Sequence, residues 1–271
     1  MPKVVIFSDL DGTLLDHDTY SFQAASEAIE LIKSKNIPLV ICTSKTRKEI
    51  ELYRKLLDNK YPFISENGGG IFIPDSYFSI EFKYYKGIEG YKVIELGTPR
   101  EALSVTLKLI AEEKDIDIRG FSDMTVKEIV KLTGLDEDTA KLAMERDYSE
   151  PFLINEDGKY AATIEEEINL KGYKHTLGGR FHHILGGNDK GKALKILTDI
   201  YKQEFGDIRT VGLGDSLNDL PMLAAVDIPI IVQKPNGVYD QKIELSNLTY
   251  ADGVGPSGWN SSILKLFINF D

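Results

Sequence analysis

Residues 4–15 read Val-Val-Ile-Phe-Ser-Asp-Leu-Asp-Gly-Thr-Leu-Leu, an apolar run followed by two carboxylates one residue apart. The apolar run predicts a buried strand, and a side-chain period of two puts Asp9 and Asp11 on the same side of the extended chain. Two carboxylates this close repel each other and lose hydration, and a divalent cation would offset that cost. A strand followed by an ordinary Asx turn is the simpler interpretation of an isolated Asp-x-Asp pair. The complete string, with Gly12 to turn the backbone and Thr13 to bond a carboxylate, favours a functional site.

The composition is that of a globular enzyme. The chain has 271 residues, of which 42% are hydrophobic and 28% charged, and its length predicts two domains. The formal net charge of −11 argues against a main role in binding nucleic acid or an anionic membrane. No apolar run approaches the roughly 18 residues of a spanning helix and no leader is evident, so we expect a cytoplasmic protein. The single cysteine, Cys42, lies in an apolar run and is expected to be buried.

The two ends of the chain alternate strand and helix patterns. Predicted strands cover residues 4–7, 37–41, 63–64, 71–73, 208–213 and 228–232, and helical patterns lie between most of them. One helix is opened by a capping box formed by Thr46 and Glu49, and a last amphipathic helix is predicted over 263–270. Alternation of this kind predicts an α/β fold, a Rossmann-like parallel-sheet core whose ligands gather at the carboxyl ends of the strands.

The middle of the chain has a different pattern. A strand is predicted over 91–96, a helix opens at Thr98-Pro99-Arg100-Glu101 with Thr98 as its cap, and two more helices begin near residues 125 and 136. Strand-like segments follow at 151–154 and 181–185. This order predicts an inserted α+β cap domain. We therefore expect residues 1–83 and 187–271 to form the core and residues 84–186 to form the cap.

Four groups of polar residues follow strands or open a helix of the predicted core. They are Asp9 with Asp11, Thr43 with Ser44, Lys190, and Asp215 with Asn218 and Asp219. Each has an ordinary explanation, since Lys190 could be solvated and the last group could be a helix cap. Together they supply what phosphoryl transfer requires, namely a nucleophile, an acid/base, ligands for Mg²⁺ and donors to the phosphoryl oxygens.

These four groups resemble the motifs of the haloacid dehalogenase superfamily of aspartate-nucleophile phosphatases, and the position of the predicted cap is similar to its Cof-type, type IIB subgroup. The resemblance implies that Asp9 is the nucleophile, Asp11 the general acid and base, and Thr43 and Lys190 the phosphoryl-binding groups. It also implies a Mg²⁺ cofactor with four acidic ligands. These are Asp9, Asp11, Asp215 and Asp219.

Four further strings stand out, namely Ser44-Lys45-Thr46-Arg47, Ile64-Ser65-Glu66-Asn67-Gly68, residues 143–151 and Gly179-Arg180-Phe181. These strings are similar to a narrower family, the mannosyl-3-phosphoglycerate phosphatases. The sequence Thr43-Ser44-Lys45 departs from the Thr-Gly-Arg that the wider subgroup usually has. The implied reaction is dephosphorylation of 2-O-mannosyl-3-phosphoglycerate to the compatible solute mannosylglycerate. A glucosyl analogue or another sugar phosphate is the alternative within enzymes. A non-catalytic sugar-phosphate sensor is the alternative of another class, although it would not need Asp11.

The implied substrate carries a carboxylate beside its phosphate, and the net charge of the chain repels it. Arginine suits a carboxylate because its planar fork can bind both oxygens, so Arg146 and Arg180 are candidates. The full expected substrate-binding set is Ser44, Lys45, Glu66, Asn67, Gly68, Arg146, Ser149, Arg180 and Asn218. We expect a small phosphorylated sugar acid as the only partner, no nucleic acid or membrane, and a monomer or homodimer. The adjacent His182 and His183 should point to opposite faces of a strand, which argues against a shared zinc site.

Overall fold

The computed structural model describes residues 3–178 and 181–268. Its strands are β1 Lys3–Ser8, β2 Leu39–Cys42, β3 Phe63–Ser65, β4 Gly70–Pro74, β5 Lys86–Ile88, β6 Tyr91–Glu95, β7 Ile118–Gly120, β8 Ser149–Ile154, β9 Lys174–Gly178, β10 Phe181–Leu185, β11 Ile208–Gly214, β12 Ile228–Gln233 and β13 Thr249–Val254. Its helices are α1 Ser26–Ser34, α2 Arg47–Leu56, α3 Arg100–Lys114, α4 Val126–Thr133, α5 Glu137–Met144, α6 Asp157–Leu170, α7 Lys190–Phe205, α8 Leu220–Leu223 and α9 Gly255–Ile268. Within the described ranges no helix is both long and apolar enough to cross a bilayer.

The larger sheet confirms the predicted α/β core. Its strand order is β13-β12-β11-β1-β2-β3-β4-β6-β5, and every pairing from β13 to β3 is parallel. The strands carry apolar side chains on both faces, because helices cover the sheet on both sides. Helices α1, α2 and α9 supply Ile29, Ile50 and Trp259 to one apolar layer, and α7 supplies Leu197 and Tyr201 to the other. The capping box of Thr46 and Glu49 opens α2 as predicted.

The strand that we predicted within the cap belongs instead to the large sheet. Strand β6 pairs with β4 in antiparallel register, with Val93 opposite Phe72, and Val93 is fully buried in the core layer. Strand β5 pairs with β6 in antiparallel register and forms the edge of the sheet. An amphipathic strand pattern does not specify its partner, and we propose that the first part of the core extends past residue 84 to include these two strands. Helix α3 also starts later than predicted. Pro99 is the N-cap residue of this helix and makes no side-chain hydrogen bond to its first turn. The amide of Arg100 donates instead to the carbonyl oxygen of Asp147.

The second sheet and its helices form the inserted α+β unit. The antiparallel strand order is β7-β8-β10-β9. Helices α3 and α6 cover one face through an apolar cluster that includes Leu107, Ile164 and Phe152. Helices α4 and α5 pack in a separate small cluster with Phe121 and Phe181. We propose that this unit, roughly residues 98–186, is the cap domain. Helix α6 was not predicted, whereas the last helix, α9, begins earlier than the predicted residue 263.

Tyr148 attaches the base of the cap to the core. Its ring is buried in the core layer, and its hydroxyl donates a 2.5 Å hydrogen bond to Oε1 of Glu95. The ring fits because Gly69, Gly70 and Gly97 have no side chains. A Cβ on Gly97 would lie 2.5 Å from the Cβ of Tyr148 and 3.0 Å from the backbone of Gly69. The three glycines therefore form a socket for the aromatic ring.

We expect Gly97→Ala to lower the free energy of unfolding by about 1–3 kcal/mol, the usual cost of overpacking a well-filled site. Gly158→Ala is the matched control, because Gly158 is an exposed helical residue whose added Cβ would meet nothing within 4 Å. That control should be neutral or slightly stabilising. Urea unfolding of both variants checks this, and equal stabilities would contradict the socket.

Candidate active site

The predicted catalytic groups lie at one edge of the large sheet. Asp9 follows β1, Thr43 follows the neighbouring strand β2, and Asp215 follows β11 on the other side. Parallel strands bring their carboxyl ends to the same edge, which explains the convergence. Lys190, the first residue of α7, is fully buried, and its Nζ lies 2.7 Å from Oδ1 of Asp9 and 2.6 Å from Oδ1 of Asp219.

Three of the carboxylates form a compact buried cluster. Asp9, Asp215 and Asp219 each offer an oxygen, and these oxygens lie within 4.8 Å of one another. Burial, and then repulsion by Asp219 and Asp9, raises the pKa of Asp215 to about 7. Burial likewise raises the pKa of Asp219 to about 6, against the opposing charge of Lys190. The single ammonium of Lys190 does not neutralise three carboxylates, so the cluster has the electrostatics of a cation site.

The donor set fits Mg²⁺, which prefers a few carboxylate oxygens completed by water. Both oxygens of Asp219 already accept nitrogen donors, one from Lys190 and the other from the amides of Asp215 and Ser216. Lys190 is the nitrogen donor to one oxygen of Asp9, and hydroxyls donate to Asp215, so these two carboxylates are the better candidates for direct metal ligands. Gly12 keeps the space beside Asp215 open, because a Cβ there would lie 3.1 Å from Oδ2 of Asp215.

The Asp11 side chain lies outside this cluster of three carboxylates, and its expected role as a metal ligand stays a prediction. Its Oδ2 is 2.9 Å from Nζ of Lys45, and that ammonium also lies 3.3 Å from Oε1 of Glu49. Oδ1 of Asp11 is buried, and no hydrogen-bond partner for it occurs in the described part of the chain. Burial raises the pKa of Asp11, although the charge of Lys45 opposes the rise. A carboxyl group with a raised pKa and an unpaired oxygen suits a proton donor.

A cavity of about 180 Å³ separates these residues from the cap. The core lines it with Asp9, Asp11, Ser44, Lys45, Asp215 and Asn218. The cap lines it with Phe121, Leu135, Ala143, Arg146, Phe181 and His183. Burial, and then the charge of Arg146, keeps the pKa of His183 well below its ordinary value. His183 therefore faces the cavity as a neutral ring, while His182 on the opposite face bonds His175 at 2.7 Å.

The structure brings only part of the expected substrate-binding set to this cavity. Ser44, Lys45, Arg146 and Asn218 line it, whereas Glu66, Asn67, Gly68 and Ser149 are buried and are not among its lining residues. Arg180 lies outside the described residues. The sequence did not indicate the apolar cap residues, because Phe121, Leu135 and Phe181 carry no chemical signature that separates them from core residues.

The turn at residues 66–68 is buried and does not line the cavity, and its expected contact with the sugar stays a prediction. Three successive residues have left-handed backbone angles, with φ values of 47°, 55° and 87°. Glu66 is fully buried and accepts hydrogen bonds from the base of the cap. Oδ1 of Asn67 accepts from Asn218 at 3.3 Å. Gly68 passes so close to the start of α7 that a Cβ would lie 2.2 Å from the carbonyl oxygen of Asp189. The turn therefore holds Asn218 and the helix that carries Lys190.

Comparison with known proteins agrees with this geometry. A family model for haloacid dehalogenase-like hydrolases matches residues 6–237. The chain is 52% identical over 264 residues to a glucosyl-3-phosphoglycerate/mannosyl-3-phosphoglycerate phosphatase of Methanococcoides burtonii, covering 97% of both chains. It is 42% identical to a mannosyl-3-phosphoglycerate phosphatase of Pyrococcus horikoshii, covering 84% of this chain and 90% of that one.

Solved structures show the same fold. One similar structure is a sugar phosphatase of haloacid dehalogenase subclass IIB, with a TM-score of 0.64, 16% sequence identity and 99% coverage of both chains. At that identity the likeness concerns the fold alone. The family model covers most of the chain, and the two relatives align along most of their length. The chain therefore belongs to the haloacid dehalogenase-like hydrolase family.

Proposed function

We propose that this protein is a Mg²⁺-dependent phosphatase that hydrolyses 2-O-mannosyl-3-phosphoglycerate, its glucosyl analogue, or both. The observation that carries the reaction type is the placement of Asp9. One of its oxygens bonds the buried ammonium of Lys190 at 2.7 Å, and it shares a cation-binding cluster with Asp215 at the floor of the cavity. The names of the two relatives support the substrate. We further propose action in the cytoplasm, on a diffusible substrate, by a monomer or homodimer.

The chemistry follows from the positions of the side chains. Mg²⁺ held by Asp9 and Asp215, with Asp219 behind them, would neutralise charge on the phosphate and orient it. Asp9 attacks phosphorus and forms an aspartyl phosphate, while Asp11 donates a proton to the departing alkoxide of the sugar acid. Asp11 then accepts a proton from the water that hydrolyses the aspartyl phosphate. The ammonium of Lys190 and the hydroxyl of Thr43 bind phosphoryl oxygens and offset their repulsion by the carboxylates.

The walls of the cavity suit a sugar acid. Lys45 and Arg146 place two cationic side chains in its lining. The chain as a whole has a net charge of −11, which would repel an anionic substrate. The two side chains supply the local positive charge that a second anionic group on the substrate requires. Phe121 and Phe181 stack edge to face in the cap, with ring centroids 4.9 Å apart, and offer an apolar surface for one face of a sugar ring.

A phosphate-release assay with Mg²⁺ tests this function. The panel comprises mannosyl- and glucosyl-3-phosphoglycerate, 3-phosphoglycerate, hexose 6-phosphates and a small aryl phosphate. We expect the highest kcat/KM for one or both glycosyl phosphoglycerates. A hexose phosphate hydrolysed most efficiently would assign the protein to another sugar phosphate. No release from any compound would favour the non-catalytic sensor.

Removing the metal should stop the reaction and change the stability. EDTA should abolish phosphate release, and added Mg²⁺ should restore it. Mg²⁺ should also raise the Tm of the wild-type protein, because a ligand that binds only the folded state stabilises it. The Asp215→Asn variant should be inactive or nearly so. Its Tm without metal should equal or exceed that of the wild type, since one of three repelling carboxylates is gone, and should respond little to Mg²⁺. An equal Mg²⁺-induced rise in Tm for both proteins would contradict the assigned site.

A further inference from the structure

We propose that Glu66 is a positioning residue that fixes Arg146 at the cavity through the hydroxyl of Ser149, and that this relay sets the preference for substrates with a second acidic group. The proposal rests on the proposed function and deepens it. It gives Glu66 and Ser149, which do not line the cavity, an indirect part in recognition. It also identifies which edge of the Arg146 guanidinium remains for a ligand.

Glu66 is a carboxylate without exposure to solvent, and within residues 3–178 and 181–268 its carboxylate accepts hydrogen bonds from residues at the base of the cap. Oε1 accepts from the amide of Asp147 at 2.7 Å. Oε2 accepts from the amide of Tyr148 at 3.0 Å and from the hydroxyl of Ser149 at 2.6 Å. The Nε of Arg146 lies 3.5 Å from the same oxygen. A buried charge is tolerated only with compensation of this kind, so the four cap residues are held in one arrangement.

The hydroxyl of Ser149 joins Glu66 to Arg146. Because that hydroxyl donates its proton to Glu66, its lone pairs face the guanidinium, and it accepts from Nε and from Nη2 of Arg146, each at 3.0 Å. Nη2 also donates to the carbonyl oxygen of Ser44 at 2.6 Å, so the core holds the same edge. The Nε–Nη2 edge is therefore fully used. Among the residues that the structure describes, Nη1 makes one long contact, 3.5 Å to the carbonyl oxygen of Ala143, so Nη1 is the nitrogen left for a ligand.

In this arrangement we propose that Arg146 binds a substrate carboxylate through one nitrogen and not through both prongs of its fork. A guanidinium whose Nε–Nη2 edge is engaged can offer Nη1 to one carboxylate oxygen, with a direction fixed in advance. Fixing that direction lowers the entropy lost when the substrate binds. Tyr148, held among Gly69, Gly70 and Gly97, keeps the segment from Arg146 to Ser149 on the core, so Arg146 stays at the cavity.

The test compares kcat/KM for mannosyl- or glucosyl-3-phosphoglycerate with kcat/KM for a small aryl phosphate that has no second acidic group. The variants are Glu66→Gln, Ser149→Ala and Arg146→Ala. In each, the ratio of the two kcat/KM values should fall by about tenfold, mainly through a higher KM for the sugar substrate, since one charge-assisted bond is lost or misaligned. Glu95→Gln is the matched control. It removes the negative charge of the group that accepts from the Tyr148 hydroxyl at the same interface without touching Arg146, so it should lower stability and keep the ratio.

A double-mutant cycle separates positioning from a structural role. Adding Ser149→Ala to Arg146→Ala should cause no further fall in the ratio, because the hydroxyl acts only through the arginine. Additive losses, or an unchanged ratio in Ser149→Ala with an active wild type, would overturn the relay and leave the proposed function intact. A wild type inactive on both sugar phosphoglycerates would overturn the proposed function and the relay with it. Ser149→Ala removes a single oxygen, so the test stands even where Glu66→Gln fails to fold.

Discussion

Replacing Asp9 by asparagine is expected to abolish phosphate release, with a loss in kcat of at least about 10³-fold for every substrate. An amide nitrogen or oxygen is a poor nucleophile and cannot form the acyl phosphate. The fold should survive, because asparagine is isosteric and Oδ1 can still accept the bond from Lys190, which lies 2.7 Å from the native carboxylate. Initial rates on a glycosyl phosphoglycerate and on an aryl phosphate, with saturating Mg²⁺, measure the loss.

The controls for Asp9→Asn exclude contamination by wild-type protein and deamidation of the asparagine back to aspartate. Mass spectrometry should show that the amide has not deamidated, and separate expression equipment should exclude wild-type protein. Circular dichroism and urea unfolding should match the wild type closely. Residual turnover above a few per cent in such a preparation would rule out Asp9 as an obligatory nucleophile.

Replacing Asp11 by asparagine should affect substrates according to their leaving groups. The sugar acid leaves as an alkoxide that needs a proton, so kcat/KM should fall by about 10²–10⁴-fold, the usual contribution of general acid catalysis. An aryl oxide leaves with little need for protonation, so its kcat/KM should fall much less. The value of kcat/KM depends on the steps up to the first irreversible one, so slow hydrolysis of the aspartyl phosphate does not affect it.

The same variant tests where the Asp11 side chain acts. Equal losses in kcat/KM on both substrates would show that Asp11→Asn disrupts the metal cluster instead of removing an acid. The structure predicts unequal losses, because Oδ2 of Asp11 bonds Lys45 at 2.9 Å and its side chain lies outside the group formed by Asp9, Asp215 and Asp219.

The sequence was sufficient to predict which polar side chains converge at one edge of the core, because this convergence follows from the topology of the sheet. Asp9, Thr43 and Asp215 each follow a strand of one parallel sheet, and parallel strands end at a common edge. Lys190 opens a helix whose N-terminus reaches the same edge, where its ammonium meets Asp9 and Asp219. The order of the strands and a few polar residues therefore defined which side chains would meet.

The sequence was not sufficient where contacts join distant segments by packing. Glu66 bonds residues more than 80 positions away, and nothing in its neighbourhood shows that its partners are amides of the cap. The pattern of residues 91–95 predicts a strand correctly, yet it fits an edge of either sheet. The direction of Asp11 depends on Lys45, whose ammonium lies between two carboxylates in a way that spacing alone does not specify.

Trapping the phosphorylated enzyme tests the central claim, covalent catalysis by Asp9, most directly. Asp11 serves both as the acid of the first step and as the base of the second, so Asp11→Asn should form the aspartyl phosphate from an aryl phosphate and hydrolyse it slowly. After acid quench of a reaction with ³²P-labelled aryl phosphate and Mg²⁺, we expect near-stoichiometric label on the peptide that contains Asp9. Steady phosphate release by this variant without any protein-bound label, or label on another residue, would contradict the account.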